Sequence, residues 1–567
     1  RAVARRIDAA LEGIQTFVRS RFCPMDGVYG KTTVLGQMPD WNPAEMIGRA
    51  PRKLAYSLYK TLITDDAWRE ARTRMGYSVP EGQPLMVSLA GQPFIDTRLS
   101  FHSYLPAGLS SETGNKLVNV WIERLRENPH LHDKVEFEVA ITTWSFDLNE
   151  RIRDLTGDVL STHEKEEFTR TLKELTLNLV LGETKGGIRQ AMEDIKELEN
   201  RQDAEPPVEE NPSIHRLFRM VENCIRYGTV PFSILARHGF IARTLLLSLE
   251  QYGILTPDEI HKFQSGIKTV AGELVEDMIR LQNGDIGRDE FMKRYGHLRP
   301  GTYDILSLRY DQIENFGQGE STLHPESVKR EFALRGDQRS GINELLKKEG
   351  LTGLDADSLM DYLREATAGR EYGKFVFTKT VSDMLELIAR FAEQNGLSHE
   401  EISHVSLTDI LSVATGSGER SVEDDLREKA EEGAETHVVS SAIRLPQVLF
   451  DEAGVHVVPF QVSHPNFITD KRIDAECISL KPGQEPPDIS DKIVLIESAD
   501  PGFDWIFAHR IAGLVTKYGG ANSHMAIRCA EFMIPAAIGC GEQKYEQLIR
   551  SNKISLDCTA GLIQTQF

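Results

Sequence analysis

The chain has 567 residues, 40% hydrophobic and 27% charged, a composition that builds a globular protein with two or three cores rather than one. Its formal net charge of -21 repels nucleic-acid phosphates, and no basic stripe interleaved with aromatics offsets it, so nucleic acid is excluded as a partner. Six cysteines without a C-x-x-C pair point to reduced thiols in a cytoplasm, and no uninterrupted apolar run reaches the length of a bilayer, so no membrane partner is expected.

The chain opens on Arg1, and charges interrupt its first residues throughout, which is unlike a signal peptide and reads as a trimmed chain. Val3, Ile7, Leu11, Ile14 and Val18 recur at helical spacing, so residues 1–35 are expected to hold a connector helix with one sticky face. A short extended element is expected at 85–89, between Pro84 and the turn signal of Gly91, Gln92 and Pro93.

Capping boxes pair Ser161 with Glu164, Thr256 with Glu259 and Ser398 with Glu401, the second with Pro257 at its first helical position. Residues 36–445 are therefore expected to form a mainly helical domain. Within it, 199–212 and 416–436 read as surface connections, although 422–434 also reads as an exposed helix. Beyond Pro465 short β-like runs at 493–496, 513–515, 536–538 and 554–556 alternate with helical segments. The fold class expected is multidomain α+β, a helical domain followed by an α/β unit over 446–567.

The chemistry concentrates in 513–541, where a β-like run meets a glycine pair, then Ser-His, then an amphipathic helix. Gly519 and Gly520 let a bulky anion approach the backbone. Ser523 is placed to cap a helix, leaving His524 at its N-terminus, where free N–H groups favour negative charge. A neutral imidazole nitrogen is a good nucleophile, and its bond to phosphorus is labile enough to pass the group on. A lone histidine beside a Gly-Gly turn is more often a surface or capping residue; the pattern around this one reverses those odds.

That pattern is T-x-x-G-G-x-x-S-H-x-A-I followed by A-E-x-x-I-P-A-x-x-G, carried by Thr516, Gly519, Gly520, Ser523, His524, Ala526, Ile527, Glu531, Ile534, Pro535 and Gly539. It resembles the swivelling phosphohistidine domain of the phosphoenolpyruvate-utilising enzymes. The resemblance implies that His524 is phosphorylated and that Thr516, Gly519, Gly520, Ser523 and Arg528 form the phosphate loop. The family carries its helix arginine next to the glutamate, whereas this chain has Ala530 there and Arg528 two residues earlier.

No pyruvate barrel follows the C-terminal pattern, an order similar to the glutamine kinase and rifampin phosphotransferase branch, in which an acceptor domain precedes the phosphohistidine domain. Residues 36–48 (GQMPDWNPAEMIG) and 294–305 (RYGHLRPGTYDI) are similar to acceptor-domain segments of that branch. By that resemblance Asp40, Trp41, Asn42, Glu45, His297 and Arg299 hold the acceptor, and 95–103 adds Arg98. Bare chemistry also allows a plain helix start at Asp40 to Pro43 and a satisfied core His297. Residues 228–240, with Arg237, resemble the same branch.

There is no P-loop and no protein-kinase motif set. The resemblance assigns ATP and magnesium to an ATP-grasp domain, upstream or in a separate chain, and no metal site is expected in this one. Three functions stay open: phosphotransfer to an amide such as that of L-glutamine, phosphotransfer to a hydroxyl of an antibiotic or other small molecule, and a non-catalytic phosphocarrier or regulatory binding protein.

Overall fold

The computed structural model describes residues 2–182, 184–208, 213–314, 316–317, 332–351, 353–416, 421–457, 464–481, 487–520 and 523–566. Helices that build and support the site are α1 (Ala2–Arg21), α2 (Pro43–Ile47), α3 (Ala67–Met75), α4 (Val230–Gln251), α5 (Val270–Gln282), α6 (Ala356–Gln394), α7 (Val422–Ala442) and α8 (His524–Glu531). Among the described residues eleven strands form two sheets: β1 (Leu35–Gly36), β2 (Met86–Leu89), β3 (Gln92–Asp96) and β4 (Val448–Leu449) in the first; β5 (Asn466–Ile468), β6 (Arg472–Ser479), β7 (Ile493–Ile496), β8 (Gly513–Thr516), β9 (Ala536–Ile538), β10 (Lys553–Asp557) and β11 (Leu562–Gln566) in the second.

Local signals become local structure where side chains satisfy backbone groups. All three capping boxes form with both reciprocal hydrogen bonds, starting helices at Thr162, Pro257 and His399. On α1, Ile14 and Val18 are buried against Val439, Ile443, Leu445 and Leu449, whereas Val3 at the other end stays exposed. The connection expected at 199–212 begins later, because a helix runs Ile188–Ala204; residues 209–212 lie outside the described ones. Over 416–436 the helical alternative is the observed one, as α7, with 417–420 outside the described residues.

Strand pairing crosses two of the expected boundaries. β1 pairs with both β3 and β4, so the sheet straddles a division at 35 and draws 448–449 into the body, past a division at 445. The helical stretch Arg216–Gln251 also passes on length and hydropathy for a bilayer, contrary to the sequence reading; 72% of its apolar window is buried inside the protein, where it is a core helix.

In the C-terminal unit the strand order is β11-β10-β6-β7-β8-β9-β5, with β6 to β9 parallel and β5, β10 and β11 antiparallel at the flanks. Alternation splits β7 between two cores: Ile493 and Leu495 face one side, Val494 and Ile496 the other. Helix-covered parallel strands are apolar on both faces for this reason.

The unit is not separated from the body. One apolar core joins Leu274, Met278 and Ile279 of α5, with Phe291 and Tyr310, to Phe503, Trp505 and Phe507 of the 3-10 segment Pro501–Ala508 and to Met525 of α8. Polar ties reinforce it: the Thr302 amide and hydroxyl donate to Asp500 Oδ2 at 3.2 and 3.0 Å, and Tyr310 Oη donates to the Gly502 carbonyl at 2.6 Å. Gly502 sits so close that a Cβ there would lie 2.1 Å from the Arg299 carbonyl oxygen. Gly502→Ala is therefore expected to lower stability by about 2 kcal/mol or more, read from denaturant midpoints; an unchanged midpoint would mean that this approach does not hold the two parts together.

Candidate active site between the helical body and the C-terminal unit

The loop between β8 and α8 is set by three local features. Gly519 takes φ 136°, a conformation that side chains disfavour. The Gly539 amide donates to Thr516 Oγ1 at 2.9 Å, tying the loop to the end of β9. Ser523 caps α8 by accepting from the Ala526 amide at 3.3 Å, which makes His524 the first helical residue. Gly520 marks the approach to the body, since a Cβ there would lie 3.1 Å from the Asp133 carbonyl oxygen.

His524 is 6% exposed, and its ring lies between two carboxylates. Nε2 is 2.6 and 2.8 Å from the oxygens of Asp504, which belongs to the same unit; Nδ1 is 3.0 Å from Oε2 of Glu371, on α6 of the body. Burial pushes the imidazole towards the neutral form, but the two carboxylates outweigh it and raise the pKa to about 9. Burial likewise opposes ionisation of Glu371, yet His524, Arg370 and Arg528 hold its carboxyl well below the usual range. At neutral pH the ring is an imidazolium with a proton on each nitrogen, and such a ring has no lone pair with which to attack phosphorus.

In front of His524 opens a cavity of about 160 Å³. The segment from Asp40 to Glu45 also lines it, and there Asp40, Trp41 and Asn42 take φ 48°, 59° and 41°, three consecutive non-glycine residues in the left-handed region. Such conformations cost about 1–3 kcal/mol each and persist where surroundings impose them. Here Arg72 Nη2 donates to both Asp40 oxygens at 2.8 and 2.7 Å, Ser100 Oγ donates to Oδ2 at 2.8 Å, and Tyr59 Oη donates to the Trp41 carbonyl at 2.5 Å. A plain helix start needs none of this, and Asn42 makes no side-chain cap to α2.

The cavity walls combine aromatic faces with charge. Phe137 sits on a π-helical turn, Val135–Val139, and Phe232 and Phe240 come from α4. Glu136 pairs with Arg237 at 2.8 Å, while burial raises the Glu45 carboxyl to about 7. Arg370, Glu371 and Lys374 enter from α6. Trp41 Nε1, Arg237 Nη1 and Tyr303 Oη are buried without a partner among the described residues. Unpaired buried donors are costly, so three converging on one cavity suit a ligand rich in acceptor oxygens.

Residues 489–561 match the PEP-utilising enzyme mobile domain family. The matched stretch contains Asp504, the loop and His524, and enzymes of this family are generally phosphotransferases that work through a phosphohistidine. No curated protein matches the chain.

With the mobile domain placed, the residues expected from the sequence divide. His524, Gly520 and Ser523 share the cavity with Asp40, Trp41, Asn42 and Glu45, so segments almost 500 positions apart meet. His297 and Arg299 do not reach it. They line a smaller chamber of about 40 Å³ on another side of His524, where Arg299 donates to Glu386 at 2.8 Å and to the Ser307 carbonyl at 3.1 Å. His297 packs edge-on to Phe375, and burial pushes its pKa well below the usual value.

Arg98 lies apart from both spaces: its guanidinium donates to the carbonyls of Cys23 and Arg21 at 2.8 and 3.0 Å, fastening the end of α1. Arg528 is buried and engaged by Glu531 and by Thr269 Oγ1, the latter at 2.8 Å, which makes it a tie between unit and body rather than a free phosphate ligand. Sequence reasoning missed Glu371, Asp504, Arg370 and Lys374. One signal was there: Arg370, Glu371 and Lys374 put three charges beside the apolar run Phe375, Val376, Phe377.

Because the folded pKa of His524 is raised, the stabilisation from its clamp is fully present below about pH 6.5 and is lost as pH rises through about 9. The difference in Tm between wild type and His524→Gln should thus be largest near the acid end of that window and shrink across it. A gap that is constant with pH would show that the ring is not held as the cation.

Proposed function

We propose that this chain is the acceptor-binding and phosphocarrier part of an ATP-dependent phosphotransferase. An ATP-grasp module, in the same polypeptide or another, uses ATP and magnesium to phosphorylate His524; the mobile domain then returns to the body and hands the group to a small molecule in the cavity. Phosphorylation belongs to the undocked position, because docking engages both ring nitrogens.

The observation that carries this reading is that one cavity is lined both by His524 and by the strained turn at Asp40 to Asn42. Its chemistry favours a small zwitterion. Carboxylate oxygens fit the unpaired Trp41, Arg237 and Tyr303 donors, an ammonium fits Glu45, and Arg370 with Lys374 suit phosphoryl oxygens. L-Glutamine meets these terms, with its side-chain amide as the phosphoryl acceptor. In that case His524 is pyrophosphorylated, phosphate is lost to water and the remaining group is transferred, with AMP and phosphate as the other products.

The aromatic wall at Trp41, Phe137 and Phe232 supports a second reading, transfer to the hydroxyl of a larger apolar molecule. The modest volume and charged lining weigh against it. A non-catalytic carrier would have no need of a cavity facing His524.

With an ATP-grasp partner and ATP labelled at the β-phosphoryl group, wild type is expected to gain an acid-labile, base-stable label and His524→Ala none; equal labelling would end the proposal. Phosphorus NMR of the labelled protein mixed with L-glutamine, other amides or hydroxyl compounds should give a phosphoramidate with the amino acid. A phosphate ester from a hydroxyl compound alone would favour the second reading.

A further inference from the structure

We infer that Glu371 is the general base of the transfer step, taking the proton from whichever acceptor attacks phospho-His524. This inference rests on the phosphocarrier reading above.

Glu371 is the one carboxylate of the body within hydrogen-bonding distance of His524 among the described residues, and it lines the large cavity as well as touching the ring. Asp504 touches the ring but lines only the smaller chamber. The charged groups around Glu371 are His524 and Arg528 of α8, Arg370 of α6 and, nearby, Glu531; Lys374, one turn along α6, shares both spaces. When the ring carries the phosphoryl group, Arg370 and Arg528 are the cations left beside Glu371, and its place at both the ring and the cavity puts it in reach of an acceptor's proton.

The step balances as follows. The acceptor atom forms a bond to phosphorus while the phosphorus–nitrogen bond breaks, and the electron pair of that bond returns to the ring nitrogen. The ring nitrogen that does not carry phosphorus holds its own proton throughout, on one of the two carboxylates; the acceptor's proton passes to the Glu371 carboxylate and then to the nitrogen that phosphorus has left. The end state is an imidazolium between Glu371 and Asp504, which is the arrangement the structure holds. Retaining the proton on the ring opposes the reverse step, since an imidazolium does not attack phosphorus.

The test uses the full chain phosphorylated on His524 by phosphoramidate, a small donor that needs no nucleotide site. Two acceptors are compared: water, which must lose a proton, and free imidazole, which attacks through a lone pair and has none to lose first. Glu371→Gln is expected to slow hydrolysis about 100-fold while leaving transfer to imidazole within about twofold of wild type, and Glu371→Asp to restore part of the hydrolysis. Equal slowing with both acceptors would make Glu371 a merely positioning residue, and no slowing with water would remove it from the step; either result overturns the inference while the carrier reading stands. Failure of phosphoramidate to label His524 would overturn both.

Discussion

The site depends on one buried charge cluster shared by two parts of the chain. His524 and Asp504 come from the C-terminal unit and are buried, and Glu371 comes from the body with its side chain 13% exposed, so an unpaired charge here would be very costly. A cation between two anions settles that cost only when the parts are together. In the proposed transfer cycle, separation would expose Glu371 and leave the ring with Asp504 alone, so the position and protonation of His524 would be linked.

The apolar packing makes the docked position exact enough for that cluster to form. Leu274, Phe291 and Tyr310 share a core with Pro501–Ala508 and with α8, and Arg299 between them is bonded to Glu386 of α6. Helix α6 then presents Arg370, Glu371 and Lys374 to the cavity that the strained turn also lines. The turn is held by Arg72, which in turn is covered by Trp68 and Tyr104. The strain of the turn and the charge beside His524 are each imposed by packing behind them.

What the sequence disclosed was chemistry that neighbours in the chain can express. Ser523 caps the residue after it, capping boxes close within four positions, and β7 to β10 appear as short apolar runs. The motif from Asp40 to Glu45 was legible as polar residues around a proline, but its left-handed backbone depends on Arg72, thirty residues away. Glu371 was hidden because a glutamate inside a 39-residue helix looks like any solvated charge. Arg98 and His297 were read from segments that resemble acceptor domains; the fold uses Arg98 to fasten α1 and packs His297 against Phe375 in the smaller chamber beside His524. The cavity itself joins segments that no local pattern links.

The central claim is that docked, unphosphorylated His524 is an imidazolium held by Asp504 and Glu371. Nitrogen NMR of the histidine side chains, with His524 assigned by substitution, reads this directly. Both ring nitrogens of His524 are expected to stay protonated through neutral pH and to titrate near 9. A neutral ring at pH 7, or titration at the ordinary histidine value of about 6.5, would contradict the charge clamp on which the site is built.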